Sequence, residues 1–147
     1  FWLHDQSYFF AILAAVLITS RLINKQKSIP YYTLQIADAF GLAFFAVMGT
    51  QKALLAGMPE MTAIIMGVIT ACFGGLIRDV LAREIPMLLK GELYAITCIA
   101  GGIVYTLSVY FSFVTELAMV LAMLMTLFLR FSAIKWKITL HVFKYPD

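Results

Sequence analysis

Two helix-length apolar stretches of this chain are laced with glycine and charge. Residues 33–55 carry Asp38, Gly41, Gly49 and Lys52. Residues 61–81 carry Gly67, Thr70, Gly74, Gly75, Arg78 and Asp79. An ionisable group at membrane depth is costly, so it reads first as a functional residue. Glycine-interrupted membrane helices are the sequence pointer to a transport site. The pattern therefore predicts part of a channel or transporter rather than a soluble domain.

Composition agrees. Hydrophobic residues make up 63% of the chain, charged residues 13%, and the mean hydropathy is +0.92. A soluble domain carries about twice that charge. A bilayer span needs roughly 20 mostly apolar residues. Stretches 7–22, 33–55, 61–81, 93–111 and 114–131 are expected to span, giving an all-α membrane protein of five helices. They leave no room for a soluble domain.

Lysine and arginine mark the cytoplasmic side of short loops. With five spans, Arg21, Lys25, Lys27, Arg78, Arg83, Lys90, Arg130, Lys135, Lys137 and Lys144 fall on one side, and only Lys52 on the other. The C-terminus is therefore expected in the cytoplasm, and the turn at 56–60 outside. The net charge of +3 follows from this topology and does not argue for nucleic-acid binding. The basic tail with Trp136, Phe143 and Tyr145 suits the lipid headgroup layer.

The helix faces carry the candidate site. At 100° per residue, Gln35, Asp38, Gly41, Phe45, Gly49 and Lys52 share one face, and Gly67, Thr70, Ala71, Gly74 and Arg78 share another. Glycines let helices approach closely, which accounts for Gly41 and Gly49. It does not account for Asp38, which is expected to line a polar path or to pair with Arg78 at the same depth. Lys52 is either on that face or snorkelling to the outer headgroups. The Gly74-Gly75 pair permits a kink or a break. Tyr94, Thr97, Cys98, Gly101, Tyr105 and Ser108 form a polar stripe on the next helix. The last helix, rich in methionine and leucine, reads as packing or lipid-facing surface.

Chemistry of other kinds is not expected. Cys72 and Cys98 lie inside spans and read as small packing residues rather than a metal or disulfide pair. His4 and His141 lie in the end regions and do not have ligand spacing. No H-E-x-x-H, G-x-S-x-G or Walker A motif occurs, so no enzyme, metal or cofactor is expected.

The segment Phe1–Tyr8 is similar to Met87–Tyr94, each an apolar triplet, a polar stretch and a tyrosine opening a helix. The two helices start on opposite sides, as an inverted repeat with an odd number of helices per unit requires. Residues 33–111 then form a complete three-helix repeat. Residues 1–32 supply the last helix of a first repeat and a cytoplasmic loop, and 112–147 a final helix and a basic tail. The first two helices of the first repeat are expected upstream of Phe1, in an N-terminally truncated chain.

Asp38-x-x-Gly41 with Gly49 and Lys52, then Gly67, then Gly74-Gly75-x-x-Arg78-Asp79, then Pro86 and Tyr94-Ala95, resembles the prokaryotic branch of the trimeric intracellular cation (TRIC) channel family. Its members are also known as glycine transporter domain proteins. The resemblance covers essentially the whole chain. Phe73 departs from it, standing where the family often has a third glycine. The resemblance implies seven membrane helices in two inverted three-helix repeats plus a final helix. It implies a homotrimer in the plasma (inner) membrane, surrounded by lipid, with one pore per protomer for potassium and other monovalent cations. The bend would lie at Gly74 and Gly75. The alternative is a secondary transporter of glycine or another small amino acid.

Overall fold

The computed structural model describes residues 6–23, 31–89 and 93–136. His4, His141, Lys25, Lys27, Lys90, Phe143 and Tyr145 lie outside the described residues. The order is α1 (Gln6–Ile23), α2 (Tyr31–Leu55), α3 (Glu60–Leu81), a short 3-10 helix (Met87–Leu89), α4 (Tyr94–Tyr110) and α5 (Thr115–Trp136). Each helix falls on a stretch expected to span. Among the described residues, α2, α3 and α5 are long and apolar enough to cross a membrane, and α4 is a shorter apolar helix. The expected end at residue 131 is too early: α5 runs on to Trp136.

The chain forms two compact units, residues 1–34 and 35–147. The first contains α1, whose described side chains are exposed, including Phe10, Ile12 and Val16. The second contains α2 from Gln35 onward together with α3, α4 and α5.

The second unit is small inside and large outside. Its buried apolar residues are mostly alanine: Ala39, Ala43, Ala46, Ala63, Ala71, Ala118, Ala122 and Ala133. Its exposed stripes are bulky, such as Ile65, Ile69, Phe73 and Ile77 on α3 and Ile96, Ile99, Ile103 and Leu107 on α4. Lipid tails are as apolar as leucine, so helices in a bilayer associate through close packing of small residues. Burying large side chains would gain nothing there.

Glycine on threonine sets the two closest approaches. A Cβ at Gly67 of α3 would collide with the Thr50 hydroxyl of α2 and stand 2.5 Å from the Ala46 carbonyl oxygen. A Cβ at Gly101 of α4 would collide with the Thr126 hydroxyl of α5. Both threonines donate back to their own helices, Thr50 to Ala46 O at 2.8 Å and Thr126 to Ala122 O at 2.9 Å. Their hydroxyls are satisfied internally, and the methyl-sized gap opposite goes to glycine. Gly49 joins the first contact, since its Cβ would lie 2.9 Å from Gly67 Cα.

Helices α2, α3 and α4 end alike. Gly57, with φ 78°, closes α2: Gly57 N–H donates to Leu54 O and Met58 N–H to Ala53 O. This is a Schellman turn, which needs a left-handed residue after the helix. Arg83 (φ 57°) plays the same part after α3, and Ser112 (φ 58°) after α4.

Candidate functional site

An open cavity of about 340 Å³ lies between helices α2 and α3. Asp38, Gly41, Leu42 and Phe45 of α2 line it, with Thr70, Ala71, Gly74, Gly75 and Arg78 of α3. Spacings of three and four residues bring each set to one side of its helix. Gly41 and Gly74 have nothing within 4 Å of a would-be Cβ, so here glycine widens the cavity rather than bringing helices together. No break occurs at Gly74-Gly75; α3 continues as one helix to Leu81.

An ion pair lines one end of the cavity. Arg78 Nη1 donates to Asp38 Oδ1 at 2.7 Å, with the Asp38 side chain 7% exposed and that of Arg78 33%. The other Asp38 oxygen, Oδ2, is buried and has no hydrogen-bond partner. A half-satisfied carboxylate at this depth is expensive unless something else engages it. Arg78 also donates from Nε to Asp79 Oδ1 at 2.8 Å, so one guanidinium serves two carboxylates.

Gly75 admits a third group. A Cβ there would lie 2.7 Å from the Tyr94 hydroxyl and 3.3 Å from Asp38 Oδ1. The Tyr94 ring, buried at the start of α4, lies under the Arg130 guanidinium of α5 at 4.7 Å from its centroid. Arg130 is fully buried. Asp38, Arg78, Tyr94 and Arg130 thus bring charged and aromatic groups of α2, α3, α4 and α5 to one region. Among the described residues, no group of three or more His, Cys, Asp or Glu side chains is placed to hold a metal ion.

A family sequence model described as glycine transporter matches residues 35–110. The chain is 42% identical over 143 residues to a UPF0126 membrane protein of Vibrio cholerae, covering 97% of this chain and 60% of that protein. It is 42% identical over 148 residues to the UPF0126 inner membrane protein YadS of Escherichia coli K12, covering 100% of this chain and 72% of that protein. This chain belongs to the glycine transporter, or TRIC, family. Its backbone superimposes on the TRIC trimeric intracellular cation channel orthologue from Rhodobacter sphaeroides with a TM-score of 0.84 at 31% identity, covering 94% of this chain and 71% of that one. A second TRIC cation channel structure gives a TM-score of 0.71 at 32% identity, covering 91% and 64%. The chain spans 60% of the length of the Vibrio relative.

The candidates of this TRIC-family chain divide into groups. Asp38, Gly41, Thr70, Gly74, Gly75 and Arg78 share the cavity. Gly49 and Gly67 do not line it; they sit in the α2–α3 packing seam. Lys52 is exposed near the opposite end of α2. Asp79 is buried and turned toward the 3-10 helix, where its Oδ2 accepts from Met87 N–H at 2.9 Å. The polar stripe of α4 is buried in full, from Tyr94 to Ser108. Cys72 and Cys98 are buried free thiols.

One residue was missed. Arg130 reads in the sequence as a charge near the end of a span, counted only for topology. The structure buries it inside α5 against Tyr94. The available signal was its spacing: Ala122, Thr126 and Arg130 recur every four residues, so the small and polar residues of α5 share its packed face.

Proposed function

We propose that this chain forms part of a pore for monovalent cations, potassium among them, running along the cavity between α2 and α3. The observation that carries the reading is the buried Asp38 carboxylate. One oxygen is held by Arg78, and the other lies without a hydrogen-bond partner beside a cavity widened by Gly41 and Gly74. A partly neutralised carboxylate suits transit: it attracts a cation but does not hold it tightly, as conduction requires. The TRIC channel structures support the same reading at 31–32% identity.

In this reading the whole protein is a homotrimeric, multi-pass inner-membrane protein with two inverted repeats. Bending of α3 at Gly74-Gly75 changes the width of the path, and the C-terminus is cytoplasmic. The three regions are 1–32, 33–111 and 112–147, as the repeat pattern divides them. Gly49, Gly67 and Lys52 set the packing and the outer end rather than the narrow point.

The second reading is a secondary transporter of glycine, favoured by the description of the matching family. Reconstitution of the whole protein in liposomes, with potassium and glycine flux measured side by side, separates the two. Unitary currents at fixed voltage support the pore. Saturable glycine uptake coupled to an ion gradient, without such currents, supports the transporter.

A further inference from the structure

The wall of the α2–α3 cavity is poor in oxygen. Leu42, Phe45, Ala71 and glycines make most of it, and Asp38, Thr70 and Arg78 supply its polar side chains. Arg78 offers only donors. Thr70 spends its hydroxyl proton on Met66 O at 2.7 Å. The backbone along both walls is continuous helix, to Leu55 in α2 and Leu81 in α3, so its carbonyls already accept N–H groups one turn on. The side-chain oxygens at the wall therefore come from Asp38 and Thr70. The Asp38 carboxylate is uneven. Oδ1 holds Arg78 Nη1 at 2.7 Å, and the Tyr94 hydroxyl stands beside it over Gly75. Oδ2 is buried and has no hydrogen-bond partner, in a side chain 7% exposed. The terminal torsion of aspartate is broad, so a small turn of the carboxylate brings Oδ2 to the wall.

We infer that this cavity selects monovalent cations that donate hydrogen bonds, an ammonium group bare or on a short apolar stem, with Asp38 Oδ2 as its acceptor. The inference rests on the pore reading above and names the substrate class of the same cavity. Two kinds of cation fare differently here. A metal ion sheds its water only where a shell of oxygens replaces it. Two oxygen-bearing side chains do not make that shell, so potassium crosses this cavity hydrated. An ammonium group needs single acceptors for its N–H donors. Oδ2 is already out of water and unsatisfied, so a donor reaching it removes a standing penalty. The remaining N–H groups keep their water on the open side. A short stem lies against Leu42 and Phe45, and an aromatic wall favours a cation. The volume of about 340 Å³ lies at the small end of ligand pockets. Free ammonium, an alkylammonium and the amino end of glycine all present this group.

Ammonium and rubidium are nearly equal in size and charge and differ in N–H donors, so the pair isolates the hydrogen bond. The whole protein in detergent is melted in rising concentrations of each chloride. Tetramethylammonium chloride, which has no N–H, holds the ionic strength constant. Half-maximal stabilisation is expected at an ammonium concentration about tenfold below that of rubidium, the size of one charge-assisted hydrogen bond. Methylammonium should match ammonium or exceed it. In Asp38→Asn the two ions should become equal. Gly74→Leu fills the cavity and leaves Asp38 in place; it should also make them equal, and it decides the matter if Asp38→Asn does not fold. Reversal potentials in planar bilayers with ammonium on one side and rubidium on the other read the same preference in flux. Glycine is melted alongside, to identify the source of the group.

Equal midpoints for ammonium and rubidium in the wild type overturn the inference. So does a preference that survives in folded Asp38→Asn or in Gly74→Leu, because it would arise elsewhere. Glycine that stabilises as methylammonium does, and loses the effect in the same variants, upholds the site and makes the amino end of a small amino acid its ligand. Glycine without effect, beside the ammonium preference, upholds the site for free ammonium and small amines. An ammonium preference in melting without cation current from the wild type upholds the site and sinks the pore reading.

Discussion

Arg78 and Asp38, 40 residues apart in the chain, meet at 2.7 Å between α3 and α2 at the end of a glycine-widened cavity. The relationship makes charge, not size, the property that matters at Asp38. Asp38→Asn keeps the shape and leaves Arg78 with Asp79 alone. Stability should fall by about 1.5–3 kcal/mol, the worth of one charge-assisted hydrogen bond. The double variant Asp38→Asn/Arg78→Gln should cost less than the sum of the two single variants, because the Asp38–Arg78 contact is then lost once rather than twice. A thermal-stability cycle in detergent measures the coupling. Strictly additive single-mutant effects would count against the pair, and unchanged cation flux in Asp38→Asn would count against its place in the path.

The glycines separate by what they face. Gly67→Ala and Gly101→Ala each force a methyl group onto a threonine hydroxyl that already donates to its own helix. Overpacking of this kind costs about 1–3 kcal/mol. Gly41→Ala and Gly74→Ala meet open space. They should fold as well as wild type or better, since alanine favours helix by about 1 kcal/mol over glycine. Their effect should appear in flux instead, and Gly74→Leu should insert normally and conduct nothing. Normal conductance in Gly74→Leu would mean that the path avoids this cavity.

Tyr94 has two ends with two jobs, and substitutions should separate them. Its ring supports the buried Arg130 guanidinium at 4.7 Å, and its hydroxyl reaches Gly75 and Asp38. Tyr94→Phe keeps the ring and should stay near wild-type stability while changing cation flux. Tyr94→Leu removes the ring face and should lose about 2 kcal/mol or more, the worth of a desolvated cation–π contact. Equal melting temperatures for the two variants would show that the ring does not support Arg130.

How much of this was legible in the sequence follows from the solvent. Span limits were readable because loops must be polar and helix interiors apolar; the starts of α2 and α3 fall at Tyr31 and Glu60, against expected starts at 33 and 61. The α4 stripe was readable because polar side chains in lipid turn inward together, and Tyr94, Thr97, Cys98, Gly101, Tyr105 and Ser108 are all buried. The packed face of α2 was not. Both of its faces are apolar, and the difference lies in size: Ala39, Ala43 and Ala46 face in, while Phe40 and Phe44 face out. Periodicity of hydrophobicity does not register that. The pairing of Asp38 with Arg78 was foreseeable from shared depth. The roles of Asp79 and Arg130 were not, because each depends on a partner from another element, Met87 in one case and Tyr94 in the other.

Topology rests on the basic residues and has its own test. Single cysteines at Lys27, Lys90 and Lys144 should be labelled only from the cytoplasm, and one at Gly57 only from outside. Labelling of positions 90 and 57 from the same side would remove the crossing by α3.

The three Schellman turns offer a comparison within one protein. Gly57, Arg83 and Ser112 occupy the same left-handed position, at φ 78°, 57° and 58°. A residue with a Cβ costs roughly 1–2 kcal/mol there, and glycine avoids the cost. Against this, glycine loses about 0.4–1 kcal/mol through the entropy of the unfolded chain. Ser112→Gly should therefore raise stability by a net of about 0.5 kcal/mol. Arg83→Gly should gain less, because it also removes a cation from a helix C-terminus, where one is worth about 0.3–1 kcal/mol. Gly57→Ala should lose stability. The order Ser112→Gly, Arg83→Gly, wild type, Gly57→Ala in thermal unfolding is the expected outcome.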